Sequence, residues 1–208
     1  MSNLYLNGWL TFLIPLIGAV LTPIIAKLGD KIRDYFAVGV SIITCGFALS
    51  LIQPVIIEGN TIHNEIAWFT HPFTINLGIY LDALSVFMAV LVSFISMLIM
   101  IYSLGYMHGD PSLTRYWFFM NFFIGNMLLL VLADNFIFLL IGWEGVGLCS
   151  YALIGFWYTD EEKYWVSPPP TPPSHAGMKA FIMTRIGDLA LITAAVIIFL
   201  QSGTFTFI

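Results

Sequence analysis

Six long apolar stretches constrain what this chain can fold into more than any other feature of its sequence. They cover residues 8–26, 35–57, 83–107, 116–133, 135–158 and 178–200. A helix needs about 20 mainly apolar residues to cross the hydrocarbon core of a bilayer, whereas the strands of a membrane barrel are short and alternate apolar with polar residues. The pattern therefore predicts an all-α integral membrane protein with about six transmembrane helices.

The low charge content indicates that lipid surrounds most of the surface. Only 9% of the 208 residues are charged and 59% are hydrophobic, whereas a soluble domain carries about 25% charged residues. The lysines and arginines are scattered and form no basic stripe, so the sequence predicts no binding to nucleic acid.

The basic residues predict the orientation of the chain. Those outside or at the edge of the apolar stretches are Lys27, Lys31, Arg33, Arg115, Lys163 and Lys179. All of them lie in, or next to, the first, third and fifth connections. Lysine and arginine concentrate in short cytoplasmic loops. We therefore expect these three connections to be cytoplasmic and the N-terminus to lie outside.

Two connections are long enough to have structure of their own. Residues 58–80, on the predicted outer side, contain two alternating segments separated by Thr70, His71 and Pro72, which predicts a small β-hairpin. Residues 159–177 begin acidic and become proline-rich. The prolines predict an extended polyproline II segment that acts as a spacer or, alternatively, as a docking strip.

Local signals predict where some helices begin and bend. Asp82 lies where it would cap the third helix, and the pair Asp134 and Asn135 lies where it would cap the fifth. Prolines within the first two stretches predict kinks, which a membrane bundle tolerates. These prolines are Pro15, Pro23 and Pro54.

The sequence carries no signature of an electron-transfer cofactor. Cys45 and Cys149 each stand alone in an apolar stretch, which is typical of small buried side chains rather than of iron–sulfur or zinc ligands. All four histidines lie between the stretches, whereas a haem between membrane helices needs ligands within them. We therefore expect neither a cofactor nor a metal site in this chain.

Glu144 interrupts the fifth stretch near the middle of the bilayer. An ionised carboxylate at that depth costs at least about 2.5–3.5 kcal/mol, so it is expected to be protonated or paired with a cation. One interpretation is a neutral glutamate that forms an interhelical hydrogen bond. The alternative is a group that takes up and releases a proton. Small residues around it, Gly142, Gly145, Gly147 and Ser150, predict close helix packing.

Arg185 and Asp188 lie three residues apart in the sixth stretch and so share one helix face. They form either a self-neutralising pair that only fixes helix packing or, together with Glu144, a proton or cation relay. Lys179 lies at the edge of the same stretch. Its amine is expected to extend to the membrane surface or, alternatively, to turn inward and join the relay.

Two motifs are similar to those of a known protein family. The first runs Leu132-Ala133-Asp134-Asn135-Phe136, then Gly142-Trp143-Glu144-Gly145-Val146-Gly147-Leu148-Cys149-Ser150-Tyr151 and Gly155-Phe156-Trp157-Tyr158. The second runs Met178-Lys179-Ala180-Phe181 and Thr184-Arg185-Ile186-Gly187-Asp188, and Leu81-Asp82-Ala83-Leu84-Ser85 fits as well. They closely resemble the large antiporter-like, proton-pumping subunit of respiratory complex I.

The resemblance implies proton translocation coupled to quinone reduction in a plasma membrane or an organellar inner membrane. In that family, the glutamate that matches Glu144 is the channel residue of the first half-channel, and the residues that match Arg185 and Asp188 modulate it or pass charge along. NADH or another donor, FMN, iron–sulfur clusters and quinone are expected on partner subunits, and no redox chemistry in this chain. Residues 1–134 would form the leading helices, and residues 135–208 the start of the channel domain.

The family's proteins are well over twice as long as this chain, and their partner lysine lies on a seventh helix. We therefore expect an N-terminal fragment, a remnant, or one half of a split subunit that a second chain completes. The proline-rich connection is also longer than is usual in the family. A related Na⁺/H⁺ antiporter or membrane-bound hydrogenase subunit, and a non-catalytic scaffold fragment, remain open alternatives.

Overall fold

The computed structural model describes residues 2–69, 75–165 and 171–207. Its helices are α1 (Ser2–Ile25), α2 (Asp30–Ser50), α3 (Ala83–Tyr106), α4 (Leu113–Leu132), α5 (Phe136–Ile154) and α6 (Pro173–Ser202), and its strands are β1 (Ile62–Phe69) and β2 (Ile75–Leu81). In the described part of the chain, six helices are long and apolar enough to cross a membrane. The prediction of a six-helix membrane protein is confirmed.

Helix α4 is the centre of the bundle. It packs against α1, α2, α3 and α5, whereas α6 packs mainly against α5. The side chains of Trp117, Leu128 and Leu132 on α4 are fully buried. Many large apolar side chains elsewhere are exposed, as expected where the outer surface of a bundle faces lipid. Helix α6 thus has little protein around it except along its contact with α5.

The second apolar stretch ends differently from a plain helix. Helix α2 stops at Ser50 and continues as a π-helical turn over Ile52–Ile57, which contains Pro54. Proline has no N–H to donate and its ring collides with the carbonyl four residues earlier, so the backbone widens at this point. Helix α1, in contrast, stays α-helical through Pro15 and Pro23.

The predicted hairpin is present between α2 and α3. Strands β1 and β2 are antiparallel, with Ile62 opposite Leu81 and Glu65 opposite Gly78. The predicted break at 70–72 lies outside the described residues. The indole N–H of Trp9 donates a 2.8 Å hydrogen bond to Asn64, which fastens β1 to the first helix.

The predicted caps are confirmed in two cases and wrong in one. The backbone N–H of Ser85 donates to Asp82, and the backbone N–H of Phe138 donates to Asn135. Asp134 is not the cap of α5, because one of its carboxylate oxygens pairs with the imidazole of His63 and the other accepts a hydrogen bond from the side-chain amide of Asn135.

The connection between α4 and α5 is held between two other segments. Ala133 pairs with Ile79 of β2, and Asn135 pairs with Thr206 near the end of the chain. The N–H of Phe207 donates to the carbonyl of Asp134 at 2.9 Å. We call this arrangement of β1, β2, residues 133–136 and residues 204–207 the ribbon.

The first, third and fifth connections meet at the opposite end of the bundle. Arg33 donates to Thr114 at 3.0 Å, and Arg115 contacts the carbonyl and ring of Phe156. The basic connections therefore share one end, as the sequence predicts. Which side of the membrane that end faces stays a prediction.

Asp160 links the fifth connection to the start of α6. Its carboxylate accepts hydrogen bonds from the hydroxyl and the backbone N–H of Ser174, and these bonds lower the pKa of the Asp160 carboxyl. Helix α6 begins at Pro173, five residues before the apolar stretch, because proline is favoured in the first helical turn. Most of the predicted polyproline segment, residues 166–170, lies outside the described residues.

Candidate functional site

Helices α5 and α6 bring three ionisable side chains together. The guanidinium of Arg185 contacts the carboxylate of Glu144, and its Nη1 lies 3.0 Å from Oδ2 of Asp188. We call Glu144, Arg185 and Asp188 the charge cluster. Glu144 lies eight residues into α5, about 12 Å along the helix axis, which places the cluster well inside the apolar span.

The cluster holds two carboxylates for one guanidinium. If all three groups are ionised, the net charge of the cluster is −1, two carboxylates against one guanidinium. Burial is uneven: the Asp188 side chain is 6% exposed, whereas that of Glu144 is 39% exposed. An excess charge in an apolar span is unfavourable. The arrangement is therefore suited to taking up a proton or a second cation at Glu144.

Trp143 is a member of the site that the sequence reasoning missed. Its indole N–H donates a 2.6 Å hydrogen bond to Oδ1 of Asp188, whose other oxygen accepts from Arg185. Asp188 is thus held from two helices at once. A tryptophan beside Glu144 in an apolar helix was itself a signal, because an indole N–H in such surroundings needs an acceptor.

Phe181 was also missed. The guanidinium of Arg185 lies 4.2 Å from the centre of its ring. Phe181 precedes Arg185 by four residues, which is the spacing that brings two side chains together on one helix face. The aromatic face favours the cation and restricts where the guanidinium can move.

Glycines allow α5 to approach its neighbours closely. A Cβ on Gly142 would lie 2.8 Å from backbone atoms of Asn126 and Leu130, and one on Gly145 would overlap the Asn126 side chain. A Cβ on Gly147 would lie 3.5 Å from Nη2 of Arg185. The predicted close packing around Glu144 is therefore found, with α4 on one side and Arg185 on the other.

Lys179 is not brought to the cluster. It is exposed on α6 and precedes Arg185 by six residues, which corresponds to about 9 Å of rise and a different helix face. Among the described residues, the contacts of Glu144 and Asp188 do not include Lys179. Its predicted role in the relay stays a prediction.

Two protein families match the chain. One, described as "NADH-Ubiquinone oxidoreductase (complex I), chain 5 N-terminus", matches residues 68–117, and the other, "NADH:quinone oxidoreductase/Mrp antiporter, TM", matches residues 133–208. NADH-quinone oxidoreductase subunit L of Rickettsia typhi is 35% identical over 195 residues. The chain belongs to the antiporter-like subunit family of complex I. The second match includes the whole charge cluster of this antiporter-like chain.

Other relatives show how much of a family member the antiporter-like chain represents. Subunit L of Pseudomonas aeruginosa is 36% identical over 202 residues, which cover 94% of this chain and 31% of the relative. NADH-ubiquinone oxidoreductase chain 5 of Dictyostelium discoideum is 34% identical over 191 residues, which cover 90% of this chain and 27% of the relative. The antiporter-like chain thus spans less than a third of the length of these curated relatives.

Two solved structures share the fold. A chain of the membrane-bound sulfane sulfur reductase, an archaeal respiratory membrane complex, superposes on 96% of the antiporter-like chain with a TM-score of 0.79 at 17% identity, and 38% of that chain is covered. A chain of the Mrp complex from a Dietzia species superposes on 96% with a TM-score of 0.75 at 24% identity, and 20% of it is covered. With its six apolar helices and these relatives, the antiporter-like chain is a multi-pass protein of a plasma or organellar inner membrane.

Proposed function

We propose that this chain forms part of the proton-translocating membrane arm of a complex-I-like NADH:quinone oxidoreductase, with Glu144 as the proton-binding group. The observation that carries the proposal is the position of Arg185 between Glu144 and Asp188. One cation shared by two carboxylates can favour either of them. The family relationship is the second support.

The charge cluster suggests how a proton would be bound and released. While Arg185 contacts Glu144, the ionised form of Glu144 is stabilised. When the guanidinium shifts fully to Asp188, Glu144 loses its cation and takes up a proton. The Trp143 hydrogen bond keeps Asp188 in place during this shift. Return of Arg185, or arrival of another cation, would then expel the proton.

The redox chemistry would take place elsewhere in the assembly. We propose that NADH or another donor, FMN, iron–sulfur clusters and quinone are bound by partner subunits, and that a second chain or a continuation of this one supplies the remaining helices. The relatives named above are subunits of such enzymes, and the open side of α6 leaves room for additional helices.

Substitution Glu144→Gln in the assembled complex tests the proposal. Glutamine keeps the size and the hydrogen-bonding capacity of the side chain but cannot release a proton. Donor-driven acidification of inverted membrane vesicles, followed with a pH-sensitive dye, should fall at least about tenfold, since general acid–base groups contribute factors of this order or more.

A matched control is Glu58→Gln, which makes the same chemical change at an exposed glutamate beside the hairpin. This variant should acidify vesicles like the wild type. Full acidification by a correctly assembled Glu144→Gln complex would refute the assignment, and it would favour a scaffold role for this chain.

An Mrp-type Na⁺/H⁺ antiporter subunit is the second candidate. The family that matches residues 133–208 includes Mrp antiporters, and the charge cluster has no feature that excludes coupling to Na⁺. The two functions separate in one measurement. A Na⁺ gradient without a redox donor should drive pH changes in vesicles for an antiporter, and should have no effect for the proposed complex.

A further inference from the structure

Three side chains that commonly bind metal ions converge at the hairpin end of the bundle. They are His63 and Glu65 on β1 and Asp134 between α4 and α5, and one possible ligand atom from each lies within 4.8 Å of the other two. The Nε2 atom of His63 is 2.8 Å from Oδ2 of Asp134. This group is separate from the charge cluster and has no part in the proposed proton transfer.

The fold holds this group in place at the level of the backbone. His63 and Glu65 are two residues apart, so their side chains leave β1 on the same face. Gly78 lies opposite Glu65 on β2, and a Cβ on it would overlap the Asp134 carboxylate. The N–H of Asp134 also donates to the carbonyl of Gly78. The absence of a side chain at Gly78 is therefore what allows Asp134 to reach β1.

The charge of the group is unbalanced. Asp134 and Glu65 contribute two carboxylates, and among the described residues neither forms an ion pair with a lysine or arginine. Hydrogen bonds to His63 and from the amide of Asn135 account for the position of the Asp134 carboxylate, but they leave the carboxylate of Glu65 without a lysine or arginine partner in the described part of the chain. Like charges this close repel each other. A divalent cation between the three groups would balance the charge.

Asn76 adds an independent observation. Its amide N–H donates to Glu65 at 2.8 Å, whereas its side-chain oxygen is buried and has no hydrogen-bond partner among the described residues. Buried polar atoms rarely stay unpaired. A metal ion held beside Glu65, or a water bound to that ion, would provide a partner for this oxygen.

We propose that His63, Glu65 and Asp134 form a zinc-binding site at the hairpin end of the bundle. One imidazole and two carboxylates are ligands that zinc accepts, and three protein ligands with a water in the fourth position are typical of open zinc sites. His63 and Glu65 are exposed while Asp134 is buried, so an ion can enter from the aqueous side. The sequence predicts no metal site, because the three residues lie up to 71 positions apart.

An occupied site would join two parts of the molecule that the sequence separates. Zinc would fix β1 to the segment that leads into α5, the helix that carries Glu144. Because a ligand that binds only the folded state stabilises it, zinc should raise the thermal unfolding midpoint of the chain.

Zinc binding to the protein in its native assembly tests the proposal. The chain is purified in mild detergent with its partner subunits, stripped with a chelator, and equilibrated with zinc chloride at increasing free concentration. Bound zinc per chain is measured by mass spectrometry. The variants are His63→Gln, which keeps an N–H to donate to Asp134, and Glu65→Gln. The controls are His175→Gln and Glu58→Gln, whose side chains lie outside the group.

The wild type and both controls should bind one zinc ion per chain. The zinc affinity of His63→Gln and Glu65→Gln should be lower by at least about tenfold, since loss of a ligand lowers metal affinity at least as much as loss of a contact that supports a ligand. The zinc-dependent rise in unfolding midpoint should disappear in the same two variants. Equal binding by all five proteins would overturn the proposal. Loss of binding in His63→Gln alone would also overturn it, because Glu65 would then not be a ligand.

Discussion

At the scale of single residues, the charge cluster depends on side chains that are not themselves titratable. Asp188 has two hydrogen-bond donors, and one of them is the indole of Trp143. Arg185 rests on the ring of Phe181. These two aromatic residues limit how far the charged groups can move, so small displacements of Arg185 decide which carboxylate it neutralises.

Substitution Trp143→Phe should weaken the cluster. Phenylalanine fills most of the same space but has no N–H, so the buried Asp188 loses one of its donors. Since hydrogen bonds to charged groups contribute about 1.5–3 kcal/mol, the unfolding midpoint in detergent should drop measurably. Trp68→Phe, at an exposed position on β1, should leave the midpoint unchanged. Identical midpoints for the two variants would contradict this prediction.

At this scale the sequence predicts part of the site and misses part. The three-residue spacing of Arg185 and Asp188 establishes that they share a helix face. Their contact with Glu144 depends on the rotation of α6 against α5, which helix periodicity does not determine. Asp134 shows the limit most clearly. Its local position indicates a helix cap. In the structure its carboxylate instead pairs with the imidazole of His63, 71 positions earlier, a contact that local sequence does not predict.

At the scale of elements, the position of Glu144 depends on how closely α5 approaches α4. Gly142 lies two residues before Glu144 and faces the backbone of α4 at Asn126 and Leu130. Backbone atoms cannot turn aside as a side chain can. The absence of a side chain at this one residue is therefore what allows the two helices to approach so closely at this depth.

Substitution Gly142→Ala should force α5 away from α4. Overpacking of this kind typically costs about 1–3 kcal/mol, and the shift would also displace Glu144 from Arg185. We expect a lower unfolding midpoint together with reduced proton translocation. Gly46→Ala on α2 is the matched control, because a Cβ at Gly46 meets no atom of the described residues within 4 Å and the residue lies outside the charge cluster. If both alanine variants behave alike, the close approach at Gly142 has no such role.

The existence of the elements follows from the sequence better than their ends do. Six apolar stretches identify six helices, and alternation identifies the hairpin. The change to a π-helical turn at Pro54 and the early start of α6 at Pro173 arise from local proline geometry. Hydropathy contains no information on that geometry, so it misplaces the end of α2 and the start of α6.

At the scale of the whole molecule, the bundle has two chemically different ends. One end carries the ribbon, of which the hairpin is part, and the other carries Arg33, Arg115 and the acidic connection that includes Asp160. The distribution of basic residues predicts that the second end is cytoplasmic. The structure places the first, third and fifth connections at this same end, and the side of the membrane that they face is tested by labelling.

Cysteine labelling would establish the sidedness. Asn60→Cys and Glu162→Cys place exposed thiols at opposite ends, and the natural thiols of Cys45 and Cys149 are buried. In right-side-out vesicles, a membrane-impermeant maleimide should label position 60 directly and position 162 only after permeabilisation. The reverse pattern would show that the orientation is inverted.

The ribbon also has a consequence for the order in which the molecule is made. Residues 78 and 79 bind residues 133 and 134, and residues 134–136 in turn bind residues 205–207. A chain synthesised from its N-terminus presents the hairpin and all six helices before the last partner of the ribbon exists. During membrane insertion the hairpin end of the bundle would therefore stay open until α6 has crossed, and it would close last.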